Sequence, residues 1–114
     1  MDSSVVKPKF KISDGDSIHL LDVNNILFFK TADQGCTALY QSGSTITLHL
    51  ELDVLENKIA SFFRINADCL VNLSHLNKLS MTEKGYVIIG NQYHFPIDPD
   101  KKHVLTEALS KISS

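Results

Sequence analysis

The sequence predicts a mainly β, α+β domain, and three observations support this fold class. Short stretches of alternating apolar and polar residues recur along the chain, turn-forming Gly, Asn and Asp residues separate them, and only two segments have helical periodicity. We expect about eight short strands, one helix inserted between strands and one C-terminal helix. The 114 residues fit one domain with its own core. We assign residues 9–112 to this domain and the polar residues 1–8 to a linker or tail.

The first half of the chain predicts antiparallel strands joined by tight turns. "KFKIS" (9–13) and "SIHLL" (17–21) flank the turn signal "DGD" and predict a hairpin. After a turn at 22–25, residues 26–29 form an apolar strand. "TADQGC" is a tip before the return strand "CTALY". In "TITLHL" (45–50) every second residue is apolar, which indicates a strand with one buried face.

The second half predicts one short helix and a further hairpin. Leu52, Leu55 and Ile59 recur at helical spacing, with charged residues between them, which is typical of a short amphipathic helix. Residues 87–89 and 93–97 resemble two strands joined at Gly90-Asn91, a dipeptide suited to a hairpin turn.

The last segment predicts the terminal helix. Asp98 suits the N-cap position and Pro99 the first helical position. The apolar stripe of this helix consists of Val104, Leu105, Ala108, Leu109 and Ile112.

Composition and motifs argue against an enzyme, a metal protein and a membrane protein. The five histidines have no ligand spacing, neither cysteine lies in a CxxC pair, and no glycine-rich phosphate loop is present. We therefore expect no cofactor and no metal. A nucleophilic pair of Cys36 with His75 or His94 is the alternative, without local support. No apolar run reaches membrane-spanning length and no secretion signal is evident, so we expect a cytoplasmic protein with reduced thiols.

The charge balance is mildly unfavourable for nucleic-acid binding. The formal net charge is −2 and the pI about 6.2, whereas phosphate contacts normally come from a surplus of Lys and Arg. Lys101, Lys102 and His103 nevertheless open the last helix. Cations there oppose the helix dipole, which makes more sense if they face a polyanion.

The stretch "FFRINADCLVNLSHL" (62–76) resembles the LytTR DNA-binding domain family. That family has a short helix before Phe-Phe-Arg and a Leu/Val-Val-Asn about six residues later, here residues 62–64 and 70–72. Residues 20–40, 46–59 and 85–97 resemble the flanking parts of the family, so the similarity covers about residues 8–112.

The resemblance implies an elongated stack of small antiparallel sheets and a role in bacterial transcription regulation. The family usually lies behind a receiver domain of a two-component response regulator, and it places loops, not a recognition helix, in successive major grooves. We therefore expect sequence-specific binding to double-stranded DNA, on repeated half-sites and as a possible homodimer on DNA.

By this resemblance the DNA contacts come from the tip after the early strand, from the segment after Phe-Phe-Arg and from the loop before the last helix. The residues at these positions are Gln34, Cys36, Thr37, Arg64, Asn66, Ala67, Lys101 and Lys102.

The sequence departs from the family at all three of these places. After Phe-Phe-Arg-Ile the family commonly has His or Asn followed by Arg or Asn, whereas Ala67 follows Asn66 here. Cys36 stands where some members have a base-reading histidine, and Asp98-Pro99-Asp100 stands where a Ser-Arg-Arg type run is common. The alternative hypothesis is therefore a LytTR-like module with weakened DNA binding that acts in protein–protein interaction. A negative surface around Gln34, Asn66 and Lys101 would favour it. We expect Asn72 to be structural, satisfying nearby backbone groups.

Overall fold

The computed structural model describes residues 9–111 and contains ten strands and two α-helices in that range. The linker predicted at 1–8 and the apolar Ile112 lie outside the described residues. The elements are β1 (Phe10–Asp14), β2 (Ser17–Leu21), β3 (Ile26–Ala32), β4 (Gly35–Tyr40), β5 (Thr45–Leu48), α1 (Leu52–Lys58), β6 (Phe62–Asn66), β7 (Cys69–Asn72), β8 (Leu76–Ser80), β9 (Tyr86–Ile89), β10 (Tyr93–Pro96) and α2 (Lys102–Ser110).

These strands form three small antiparallel sheets. β1 and β2 form a two-stranded sheet, the central sheet has the order β5-β4-β3-β7-β6, and the third has the order β10-β9-β8. This confirms the predicted β-rich α+β class with an inserted and a C-terminal helix. Both predicted hairpins are present. At the β9–β10 turn Gly90 and Asn91 have φ of 60° and 68°, a conformation open to Gly and tolerated by Asn.

The region between α1 and β9 differs from the sequence-based expectation. The sequence pattern does not divide residues 62–76 into separate strands, whereas β6 and β7 form a hairpin there and β8 begins at Leu76. The helix start also differs. A 3-10 turn at Pro99–Lys101 precedes α2, and the Asp98 side chain makes no capping hydrogen bond. Asp98 uses its backbone instead, since its N–H donates to the carbonyl of Ile65.

Strand β3 separates two apolar cores. Phe29 lies in the first core, under the β1–β2 hairpin and α1, together with Leu55 of α1. Its neighbour Phe28 faces the opposite side and lies in the second core, under the third sheet and α2, together with Leu105. Successive residues of a strand point to opposite faces, so one strand supplies both cores. The two cysteines are divided in the same way, Cys36 in the first core and Cys69 in the second.

Asn72 joins β7 to the chain before β3 through its buried side chain. Its amide N–H₂ donates to the carbonyls of Val23 (3.2 Å) and Ile26 (2.9 Å), and its amide oxygen accepts from the N–H of Ser74 at 2.9 Å. The residue is 2% exposed. Buried backbone carbonyls need such partners, so the structural role expected for Asn72 is confirmed.

We expect Asn72→Ala to lower the free energy of unfolding by about 2–3 kcal/mol, because it leaves buried backbone groups without partners. Urea unfolding followed by circular dichroism measures this. The exposed Asn57 on α1 provides the matched control, and Asn57→Ala should change stability by less than about 0.5 kcal/mol. Equal stability of the two variants would contradict the structural role.

Asp14 holds the β1–β2 hairpin against the end of β5. Its carboxylate oxygen Oδ2 accepts from the backbone N–H of His49 at 2.9 Å, and ring nitrogens of His19 and His49 each lie 3.5 Å from the same oxygen. The hydrogen bond from the His49 backbone is the main cause that lowers the pKa of Asp14 below its ordinary 3.8. The folded state therefore favours the ionised carboxylate.

This lowered pKa makes stability depend on pH. A carboxyl group with a depressed pKa in the folded state stabilises the fold above the pKa of the unfolded chain, and the contribution is lost as pH falls. We expect the free energy of unfolding to fall less steeply between about pH 5 and about pH 3 for Asp14→Asn than for the unchanged chain. Asp16→Asn, in the same turn but exposed, is the control. Parallel pH curves for Asp14→Asn and the unchanged chain would refute the argument.

Candidate nucleic-acid interface

Three segments far apart in sequence meet at one edge of the molecule. They are the β3–β4 turn (32–35), the β6–β7 turn (66–68) and the segment between β10 and α2 (96–101), which we call the three-loop edge. The antiparallel order β4-β3-β7-β6 brings the first two turns side by side, because each follows or precedes the same end of the sheet. These are the three segments singled out from the sequence.

Two hydrogen bonds from Thr31 to Asp68 fasten the first turn to the second. The N–H of Thr31 donates to the carbonyl of Asp68 at 3.0 Å, and the hydroxyl of Thr31 donates to its carboxylate at 2.9 Å. The end of β3 and the β6–β7 turn therefore form one rigid unit.

Asn66 fastens the β6–β7 turn to the segment before α2. Its amide N–H₂ donates to the carbonyl of Pro96 at 2.7 Å, while its amide oxygen accepts from the N–H of Asp68 at 2.8 Å. Both polar groups of the side chain are thus engaged inside the protein. Asn66, which we expect to read bases, also connects two segments of the edge through these hydrogen bonds.

Arg64 is likewise engaged by its own chain. Its guanidinium donates to the carbonyls of Asn66 (3.0 Å) and Ala67 (2.7 Å) and forms ion pairs with Asp53 (2.7 Å) and Glu56 (3.1 Å) on α1. Only 16% of its side chain is exposed. Such a guanidinium holds the turn against the helix, and four of its five N–H donors are engaged within the chain.

The ion pairs also set the electrostatics of Arg64. Burial by itself lowers the pKa of the guanidinium, but the hydrogen bonds and charges of Asp53 and Glu56 outweigh this and raise it above its ordinary value. The positive charge is therefore permanent and neutralised locally by two carboxylates.

Cys36 does not belong to the surface of this edge. It follows Gly35 in β4, is 0% exposed and points into the first core. Burial raises the pKa of its thiol to about 11, so it is neither exposed nor activated. His94 is exposed and stacks on Tyr86. The expected contact of Cys36 with DNA and its alternative role in a nucleophilic pair stay predictions, and the burial of the thiol argues against both.

Gly35 explains why the tip lies so close to the sheet. Its φ is 141°, and a Cβ built on it would come within 2.1 Å of the carbonyl oxygen of Leu48 on β5. Only glycine fits this approach, which presses the turn against the neighbouring strand. The tip therefore presents its two central residues, Asp33 and Gln34, to solvent.

Lys102 is also committed to the fold. Its ammonium group donates to the carbonyls of Thr82 (3.0 Å) and Glu83 (3.1 Å) in the β8–β9 connection. The side chain ties the first turn of α2 to that connection.

The remaining expected residues do reach the surface of the edge. Gln34 and Ala67 are exposed, and Thr37 and Lys101 are half-buried. Lys30 is a further cation that sequence reasoning missed. It is exposed near the end of β3, is paired with Thr37 across the sheet and borders a groove of about 340 Å³ with Asn66, Ala67 and Pro96. The only sequence signal was a single lysine directly after the apolar run 26–29.

Carboxylates outnumber unpaired cations around this edge. Asp33, Asp68, Asp98 and Asp100 lie in or beside its three segments, whereas Lys30 and Lys101 are the cations that no described residue pairs. This balance of charges agrees in sign with the sequence-based alternative of an interaction module.

Metal and membrane features are absent from the part of the chain that the structure describes. Within residues 9–111 no group of three or more His, Cys, Asp or Glu side chains is arranged to bind a metal ion. Neither helix in this range is long and apolar enough to cross a membrane.

Comparison with known proteins identifies a matching family and solved structures that are similar to the chain. Residues 16–110 match the family described as the LytTr DNA-binding domain. A solved structure similar to the chain is the LytTr DNA-binding domain of a Bacillus cereus protein described as a methyl-accepting/DNA response regulator. It has a TM-score of 0.71 and 16% identity, and the match covers 91% of this chain and 98% of that one. No curated protein sequence matches the chain.

We expect Arg64→Ala to lower the free energy of unfolding by about 2 kcal/mol, mainly through the loss of charge-assisted bonds to two carbonyls. Asp53→Ala should cost less than about 1 kcal/mol, because that carboxylate is largely exposed and its ion pair is screened. Arg64→Lys should behave like Arg64→Ala, since one ammonium group cannot reach all four acceptors. Urea unfolding of the three variants tests this order. If Arg64→Ala leaves the free energy of unfolding unchanged, the positioning role of Arg64 is contradicted.

Proposed function

Since the chain belongs to the LytTr DNA-binding domain family and is therefore a DNA-binding regulator domain, we propose that its three-loop edge enters the major groove of double-stranded DNA. The family consists of DNA-binding domains and not of enzymes. The remaining question is how this particular edge contacts DNA, and which residues read the sequence.

One observation supports the proposal above all others. Four hydrogen bonds hold the three segments in one arrangement. Two run from Thr31 to Asp68, one from Asn66 to the carbonyl of Pro96, and one from the N–H of Asp98 to the carbonyl of Ile65. A rigid edge loses little conformational entropy when it binds, so its exposed groups are already positioned for a groove.

In this proposal the residues of the edge divide into contacts and supports. Gln34 has the amide that pairs bidentately with an adenine edge, and Ala67 has a methyl group suited to a thymine methyl. Lys30 and Lys101 contact phosphates and set the position of the domain on the duplex. Arg64, Asn66 and Lys102 act as positioning residues, because their donors are already engaged by the protein. Thr37 is paired with Lys30 across the sheet and contacts phosphate next to it.

The wider biological role follows from the family. We infer a sequence-specific regulator of bacterial transcription that acts in the cytoplasm and binds repeated half-sites, with a receiver domain of a two-component system in the full-length protein. The present residues supply the DNA-reading part of such a regulator.

A second candidate function has one specific observation in its favour. The surplus of carboxylates around the edge repels phosphates and would suit a cationic protein surface. In this alternative the domain has weakened DNA binding and serves protein–protein contact. The salt dependence of DNA binding separates the two candidates.

We expect the chain to select a preferred sequence from a pool of random-sequence duplexes. Gln34→Ala should then weaken binding to the selected duplex by about 5- to 150-fold, the loss of one bidentate base contact, and relax specificity at one position. Lys30→Ala should weaken all duplexes alike and reduce the slope of log K against log salt by about 1. Fluorescence anisotropy over a salt series measures both effects.

The matched control is Lys58→Ala, which removes an exposed lysine from the far end of α1 and should leave the salt slope unchanged. If the chain binds no duplex at low salt, the DNA-reading proposal is contradicted and the protein–protein interaction module is favoured. If binding is unchanged by Gln34→Ala but lost in Lys30→Ala, the phosphate contact of Lys30 is supported and the base contact of Gln34 is contradicted.

A further inference from the structure

The β1–β2 hairpin exposes apolar side chains where an outer strand face normally carries polar ones. Its inner face is buried, with Ile12 and Leu21 in the first core. On the outer face Ile18 is 63% exposed and Leu20 is 61% exposed, the two highest values among the exposed large apolar residues of 9–111. They are two residues apart on one strand and therefore lie side by side.

The register of the hairpin defines this outer face. Ile18 is opposite Ser13 and Leu20 is opposite Lys11, so the face contains two apolar side chains flanked by one small polar residue and one cation. β1 and β2 pair only with each other in the described part of the chain. We call the face formed by Lys11, Ser13, Ile18 and Leu20, with Asp16 at its turn, the hairpin face.

We propose that the hairpin face binds the hairpin face of a second copy of this chain. The positions of the charged residues on this face favour a second copy of the chain as its partner. Lys11 lies toward the open end of the hairpin and Asp16 lies in the turn at the other end, and both side chains are exposed. When two copies pack with their hairpins antiparallel, Lys11 of each faces Asp16 of the other, and the aliphatic side chains meet between them.

The opposite arrangement is disfavoured by the same charges. With the hairpins parallel, Lys11 would face Lys11 and Asp16 would face Asp16, and such like-charge contacts are destabilising. A two-fold axis across the strands therefore gives the self-complementary contact that symmetric dimers require. A polyanion would gain nothing from the two aliphatic side chains.

The antiparallel pair has a consequence for the three-loop edge. The hairpin turn lies at the same end as that edge, because Asp14 binds His49 and Gly35 abuts the same part of β5. In the pair the two turns lie at opposite ends, and so do the two edges. Such a pair joins two DNA segments and does not cover adjacent half-sites. The pairing itself does not rest on DNA binding and is measured without DNA.

The contact is small and the pairing is weak. Two exposed side chains cover far less than the roughly 800 Å² per partner of a stable interface. Association is therefore expected only at high protein concentration, within a range of about 10 µM to 1 mM by sedimentation equilibrium. We expect the average mass to rise toward that of a dimer over this range.

Two kinds of variant test the face. Ile18→Ser combined with Leu20→Ser should weaken self-association at least about tenfold, since both aliphatic groups are lost. Val104→Ser is the matched control, because Val104 is 51% exposed on α2, away from the hairpin, and should leave association unchanged. Circular dichroism of each variant checks that the fold is retained.

A charge exchange tests the antiparallel geometry. Lys11→Glu alone and Asp16→Lys alone should each weaken self-association, because each places like charges opposite one another in both contacts. An equimolar mixture of the two variants should associate at least as tightly as the unchanged chain, since every pair is then complementary. A mixture no tighter than either variant alone would overturn the arrangement. A chain that stays monomeric over the whole range would overturn the proposal and assign the hairpin face to another domain or protein.

Discussion

Strand β3 separates two apolar cores and contributes side chains to both, and the rest of the fold depends on this arrangement. Its neighbouring phenylalanines, Phe28 and Phe29, point to opposite faces, and each belongs to a separate apolar cluster. A domain of this size gains from the arrangement, because a single central sheet buries apolar surface on both sides. The hairpin and α1 cover one side, while the third sheet and α2 cover the other. The chain thereby stacks three small sheets without one large core.

The same strand determines where the three-loop edge lies. β3 ends beside the β6–β7 turn, and long-range hydrogen bonds then bring the segment before α2 to this junction. Polar residues with suitable chemistry for DNA, Arg64 and Asn66, are used to build the edge. The exposed polar side chains that remain at this edge are fewer and include fewer cations. Residue type alone therefore does not tell whether a polar side chain at this edge is engaged within the fold or exposed.

Local chemistry determined which features could be predicted from the sequence. The turn residues of the β1–β2 and β9–β10 hairpins and the helical spacing of Leu52 and Leu55 act over a few residues, so the fold class and most elements were predictable. The split of residues 62–76 into β6, β7 and β8 depends on pairing partners elsewhere. Residue roles in the site were less accessible, because the partners of Arg64 on α1 are 8 and 11 residues away and that of Asn66 is 30 away. The burial of Cys36 likewise follows from the register of β4, which no local pattern fixes.

Because the two cysteines lie in different cores, their thiol reactivity reports on the local opening of each core separately. Cys36 lies in the first core and Cys69 in the second, and burial raises the pKa of the Cys69 thiol to about 12. Thiol chemistry requires the thiolate and access to the reagent, so each cysteine reacts only when its own core opens. The rates at which the two thiols react therefore report separately on the breathing of the two halves of the molecule. Disulfide formation between native copies is correspondingly suppressed, and oxidation becomes a mark of chains that have already lost part of their fold.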